Sequence, residues 1–112
     1  MTDCVFCRIV ARQNQADIEY EDEHVVAFKD IYPKAPVHVL IVPRRHIATL
    51  AEATEDDIDV LGRCVLAARR IAEAKGFAER GFRLGLNTGP EGGQVVYHIH
   101  FHFTAGRRTS GG

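Results

Sequence analysis

No tryptophan occurs in the 112 residues, methionine occurs once, and the three cysteines are too few and odd in number for the disulfide framework of a small secreted domain. An excess of charge is missing too, because 14 Lys+Arg balance 15 Asp+Glu to a formal net charge of -1. That balance removes the electrostatic footprint expected for DNA or RNA and for an anionic membrane surface. No apolar run reaches the roughly 18 residues of a bilayer span. Met1-Thr2-Asp3-Cys4 has no basic segment followed by an apolar stretch, so no secretory signal is expected and a cytoplasmic location is. Repeats, low-complexity blocks and Pro/Gly/Ser-rich linkers are also absent, which leaves the chain undivided.

What remains is ordinary globular material, 46% hydrophobic and 26% charged. The expectation is a single domain over residues 1–112, with a folded core at about 3–106 and a loose tail at 107–112. Phe6 to Arg12 has the length of a short helix, and Ile18-Glu19-Tyr20-Glu21 alternates like a half-buried strand. His24 to Asp30 and Val37 to Val42 are further strands, separated by a crossing that Pro33 and Pro36 make irregular. From Thr54 the apolar spacing changes to Ile58, Leu61, Val65, Ala68 and Ala72, an amphipathic helix. Thr54 suits its N-cap, Glu55, Asp56 and Asp57 suit its first turn, and Gly76 suits a left-handed C-cap. Cys64, inside that helix, reads as a small buried hydrophobe. Phe82 to Asn87 is a strand, Thr88 to Gly93 a loop, and Val95 to Phe103 the last strand. Short connections favour antiparallel pairing, so the fold class is α+β, a five-stranded antiparallel sheet with one long helix and a short N-terminal one.

The last strand carries the chemistry. In Tyr97-His98-Ile99-His100-Phe101-His102-Phe103 imidazoles alternate strictly with large apolar side chains, which puts three histidines on one face and the apolar set under the helix. A plain solvent-exposed face that happens to use histidine is the bland alternative. A single zinc bound by all three is another, but His98 and His102 lie roughly 13 Å apart along an extended strand. A linear ligand whose anionic group meets successive imidazoles fits that spacing better, since imidazole serves as nucleophile, proton carrier or phosphate partner.

Gly92-Gly93-Gln94-Val95-Val96-Tyr97-His98-Ile99-His100-Phe101-His102-Phe103 resembles the signature of the histidine triad superfamily of nucleotide-binding hydrolases and transferases. Cys4 to Ile9, Ala27 to Pro33, Pro36-Val37-His38, Ile41 to Ile47 and Leu86-Asn87 are similar to blocks of its Hint-like branch in the same order. The resemblance implies a hydrolase acting on purine nucleoside phosphoramidates or related nucleotidyl substrates. In it His100 is the nucleophile that forms a nucleotidyl-histidine intermediate, and His102 contacts the phosphate and assists proton transfer. Asn87 and Gln94 donate to phosphate oxygens, Asp30 holds the ribose, and Phe28, Ile31 and Ile9 wall the purine. No catalytic metal is required. Where many phosphoramidase members have Ser after the Gln, this chain has Val95, so a nucleotide-binding regulatory or scaffold protein with little turnover is the alternative.

Cys4-x-x-Cys7 is half of a zinc site, and His46 with one of the triad histidines could supply the rest. Two reduced thiols without metal are the competing possibility. Similarity to bacterial members implies structural zinc on Cys4, Cys7, His46 and His98. It also implies a homodimer joined through the long helix and the Phe82 to Asn87 strand. His24 and His38 read as ordinary surface and structural histidines.

Overall fold

A computed structural model describes residues 4–108. The ends of the expected core and tail, residue 3 and residues 109–112, lie outside the described residues. The elements are α1 (Val5–Val10), β1 (Ile18–Glu21), β2 (Val25–Lys29), β3 (Val37–Pro43), α2 (Ile58–Lys75), β4 (Arg83–Leu86) and β5 (Phe101–Ala105). The strands form one sheet in the order β1-β2-β3-β5-β4, every neighbouring pair antiparallel. No helix among the described residues is long and apolar enough to cross a membrane.

Alternation along the strands gives the sheet two different faces. Val25, Ala27, Val39, Ile41, Phe101, Phe103 and Ala105 pack against Cys64, Ala67, Ala68, Ile71 and Ala72 of α2. Small residues on the buried side of the helix let it approach the sheet closely. On the other face Val26, Phe28, Leu40 and Val42 are covered by Phe6 and Ile9 of α1. Farther along that face the register sets Leu40 and Gly85 opposite His102, and His38 and Arg83 opposite Thr104. Among the described residues no helix covers this second stretch, and the candidate site residues gather there.

The C-cap of α2 follows the sequence, but Thr54 caps the 3-10 turn that leads into the helix, and Asp57 holds the N-cap position of α2 itself. Thr54 and Asp57 form a reciprocal capping box around a single 3-10 turn at Glu55–Asp57, and Gly76 closes the helix at φ 82°. The buried stripe is rotated from the expected one: Val60, Cys64, Ala67, Ala68, Ile71 and Ala72 face the core, whereas Ile58 is 67% exposed and Val65 47%. Apolar residues on two sides of a helix give an ambiguous period, and the small ones won the sheet.

The last strand also departs from expectation. Pairing begins only at Phe101, not at Val95, and continues to Ala105. Ahead of it, Ile99 N–H donates to the Ile47 carbonyl at 2.7 Å, and the Pro43 carbonyl accepts from the His98 imidazole at 2.8 Å. Loop and side-chain partners thus replace the ladder there. Ile99 is buried against Ile47 and Val60, but Tyr97, expected under the helix, is 43% exposed.

Candidate active site and metal centre

Each triad histidine meets a different environment. His98 is fully buried, and its Nε2–H donates to the Pro43 carbonyl, so Nδ1 is the nitrogen left to bind something else. That Nδ1 lies 3.4 Å from the Sγ of Cys4, 3.4 Å from the Sγ of Cys7 and 3.2 Å from Nδ1 of His46. Cys7 Sγ is 3.3 Å from the same His46 nitrogen. Cys4 is the N-cap of α1, and its Sγ accepts the Cys7 N–H at 3.3 Å, so the first turn brings both thiols to one point. Zinc–sulfur and zinc–nitrogen bonds of about 2.3 and 2.0 Å in a tetrahedron imply ligand separations of about 3.3 to 3.8 Å. The two sulfurs and two nitrogens fit a closed zinc site by both chemistry and spacing, and the carbonyl behind His98 is the outer partner such a ligand needs. Burial pushes the His98 pKa down to about 4, which keeps its ring neutral and able to ligate.

His100 is buried and its Nδ1 lies 2.8 Å from the His98 carbonyl oxygen. A carbonyl only accepts, so the proton sits on Nδ1 and the Nε2 lone pair is the reactive end. Phe6 packs edge-on against this ring at 5.1 Å and against Phe28 at 5.3 Å. Burial, above all, lowers the His100 pKa, favouring the unprotonated nucleophile.

His102 is half-buried and its Nδ1 lies 2.9 Å from Nε2 of His38. The Lys34 N–H donates to His38 Nδ1 at 3.0 Å, so His38 carries its proton on Nε2 and gives it to His102 Nδ1. Burial pushes His102 down to about 4 and His38 below its ordinary value, so both rings are neutral and this tautomer chain is forced. His102 is left with an Nε2–H. Asp30 Oδ2 stands 3.4 Å from His38 Nε2, and its Oδ1 accepts the Tyr32 N–H at 2.8 Å. His38, expected to be structural, therefore orients His102. Its sequence signal was weak, since only the register to β5 brings residues 38 and 102 together.

A groove of about 690 Å³ joins these groups. Phe6, Ile9, Phe28, Leu40 and exposed Ile31 line its apolar part, and Asp30, Asn87, His100 and His102 its polar part. Phe6 and Leu40 were not foreseen. Asn87 Nδ2 donates to the Gly92 carbonyl at 2.7 Å while the side chain remains on the groove wall. Gln94 is the exception among the expected phosphate donors. Both of its amide hydrogens are used, by the carbonyls of Ala48 at 2.8 Å and Val96 at 3.0 Å, and its oxygen accepts the Gly89 N–H. Gln94 shapes the loop ahead of the histidines rather than facing the groove.

With this geometry in place, likenesses to known proteins become informative. The family model for the scavenger mRNA decapping enzyme C-terminal binding region matches residues 3–112. A purine nucleoside phosphoramidase of Escherichia coli is 46% identical over 103 residues, covering 92% of this chain and 87% of that protein. A 14 kDa zinc-binding protein of Brassica juncea is 43% identical over 108 residues, 95% of each chain. The solved structure of a HIT family hydrolase from Clostridium thermocellum superposes with TM-score 0.95 at 45% identity, covering 100% of this chain and 97% of that one.

Proposed function

The chain belongs to the histidine triad (HIT) family, and from that premise we propose that it hydrolyses purine nucleoside phosphoramidates or related nucleotidyl substrates through a nucleotidyl-histidine on His100. The observation that carries this is the His100 tautomer: Nδ1–H is held by the His98 carbonyl, which leaves Nε2 to attack. The purine occupies the slot between Phe28, Ile9 and Ile31, Asp30 receives the ribose, and Asn87 with His102 meets the phosphate.

In the first step His100 Nε2 bonds to phosphorus and the P–N bond breaks. Its electron pair goes to the departing nitrogen, which takes a proton from solvent, while His102 Nε2–H donates a hydrogen bond to the phosphate. In the second step water attacks phosphorus, the bond to His100 breaks with its pair returning to Nε2, and the proton lost by water returns to solvent, so the proton taken up in the first step is balanced. Holding His102 in place through His38 costs no reorganisation during either step.

Zinc on Cys4, Cys7, His46 and His98 would be structural, tying α1 to the residue two positions before the nucleophile. A reducing, cytoplasmic setting suits those thiols. The whole chain acts as one catalytic domain in this proposal, paired with a second copy through the open edge of β4 and the exposed Ile58, Val65 and Leu66 of α2. Sedimentation giving only monomer at all concentrations would remove the dimer.

The second reading, a nucleotide-binding regulatory protein with little turnover, rests on Val95, which stands 86% exposed on the groove wall and offers no hydroxyl. Intact mass spectrometry after brief mixing with adenosine 5′-phosphoramidate separates the two. An adduct of one nucleotidyl group, absent from His100→Ala, supports the hydrolase. Nucleotide binding with neither adduct nor consumption supports the binder.

A further inference from the structure

A second cleft, of about 360 Å³, opens beyond His102 and shares Lys34, Asn87 and His102 with the first. Its character is cationic: Lys34, Arg83, Arg107 and Arg108 line it, with the Thr104 side between them. The cations are arranged by the fold. Gly85 is the register partner of His102, and a Cβ there would stand only 2.6 Å from Arg83 Nη1, so the guanidinium lies over bare backbone beside His102. From the other wall, Arg107 donates to the Lys34 carbonyl and ties the end of β5 to the β2–β3 connection. Among the described residues none of these four cations is paired with a carboxylate.

In-line displacement puts the departing group on the side of phosphorus away from the attacking nitrogen. Two directions lead from His100: back to Phe28 and Asp30, where the nucleoside belongs, and onward past His102 into the cationic cleft. We infer that this cleft receives the group released from phosphorus, and that the preferred group carries a negative charge, a carboxylate or similar anion a few bonds from the departing nitrogen. Arg83 and Lys34 are its main partners. The inference rests on the hydrolase reading for its chemistry, but an anion site beside the phosphate can be tested without turnover.

Two adenosine 5′-phosphoramidates serve as probes, one built on β-alanine and one on β-alaninamide, differing in a carboxylate against a neutral amide. The ratio of their kcat/KM values isolates the charge. The native protein is expected to favour the β-alanine probe by about tenfold, the scale of one charge-assisted contact. Arg83→Gln is expected to bring the ratio close to one, and Arg83→Lys to restore part of it. Raised ionic strength is expected to shrink the preference. In parallel, both probes are titrated calorimetrically against His100→Ala and against His100→Ala carrying Arg83→Gln. If neither probe is turned over but the β-alanine compound still binds more tightly in an Arg83-dependent way, the hydrolase reading falls and the anion site stands. Equal handling of both probes in turnover and binding, or a loss in Arg83→Gln shared by both, overturns the site.

Discussion

The two ends of the histidine segment make opposite use of the same side chain. At one end His98 is sealed in the core, one nitrogen on the Pro43 carbonyl and the other among two thiols and His46. At the other His102 is half open to the groove, with one nitrogen on His38 and the other left for substrate. Four residues apart, the proposed function gives one imidazole a structural task and the other a chemical one, and the geometric difference between them lies in what meets each Nδ1. His100 sits between them, taking its orientation from the His98 backbone.

The largest effect comes from removing the centre of that comparison. His100→Ala is expected to lower kcat by about 10³-fold or more while nucleotide affinity changes little, as measured by steady-state turnover and calorimetry. If affinity collapses together with turnover, the ring is part of the binding wall rather than a nucleophile. Disturbing the open end should cost less. His38→Ala is expected to lower kcat about tenfold to a hundredfold with KM nearly unchanged, because His102 loses the group that orients it. An unchanged kcat would show that His102 needs no such support.

At the sealed end the expected loss is in stability. Cys7→Ala should abolish zinc in a native mass spectrum and lower Tm by about 10 °C, the shift expected for roughly 2 kcal/mol in a chain of this size. An unchanged Tm in zinc-saturated buffer would mean that the four ligand atoms are only neighbours.

The smallest effect concerns pH. The His102 pKa is held at about 4 in the folded state, mainly by burial, against an ordinary value near 6.5. The unfolded chain therefore binds the extra proton at this position first. Its contribution to stability is complete above about pH 6.5 and is lost as pH falls toward 4. Denaturant melts between pH 7 and 5 should show a shallower decline in His102→Gln than in the native protein, and parallel declines would locate the linkage elsewhere.

Much of this was legible in the chain. Gly76 marked the end of α2, and Thr54 with the acidic residues after it marked the 3-10 turn from which the helix starts three residues later than expected, because caps are local chemistry. Cys64 was placed in the core by its position in a helical pattern, and it is fully buried with its thiol pushed up to about 12. The phase of the α2 stripe was harder to read, since Ile58, Val65 and Leu66 are as apolar as the residues that face the sheet. The start of β5 was misread for a related reason. Alternation of histidine with apolar residues persists from His98 to Phe103, but the ladder to β3 ends at the Ile41–Phe101 pair, and His98 and Ile99 bond to the carbonyls of Pro43 and Ile47 instead.

Composition and periodicity alone determined a small α+β fold with three imidazoles projecting alternately from one segment, because side-chain direction along an extended chain depends only on position. The tertiary structure decided which nitrogen of each ring is available. That choice depends on groups distant in sequence: the carbonyl of Pro43 behind His98, the thiols of α1 beside it, and His38 behind His102. It also turned Gln94 inward to the loop and Arg83 onto Gly85, since hydrogen-bond satisfaction and close packing are settled only when the strands are in register.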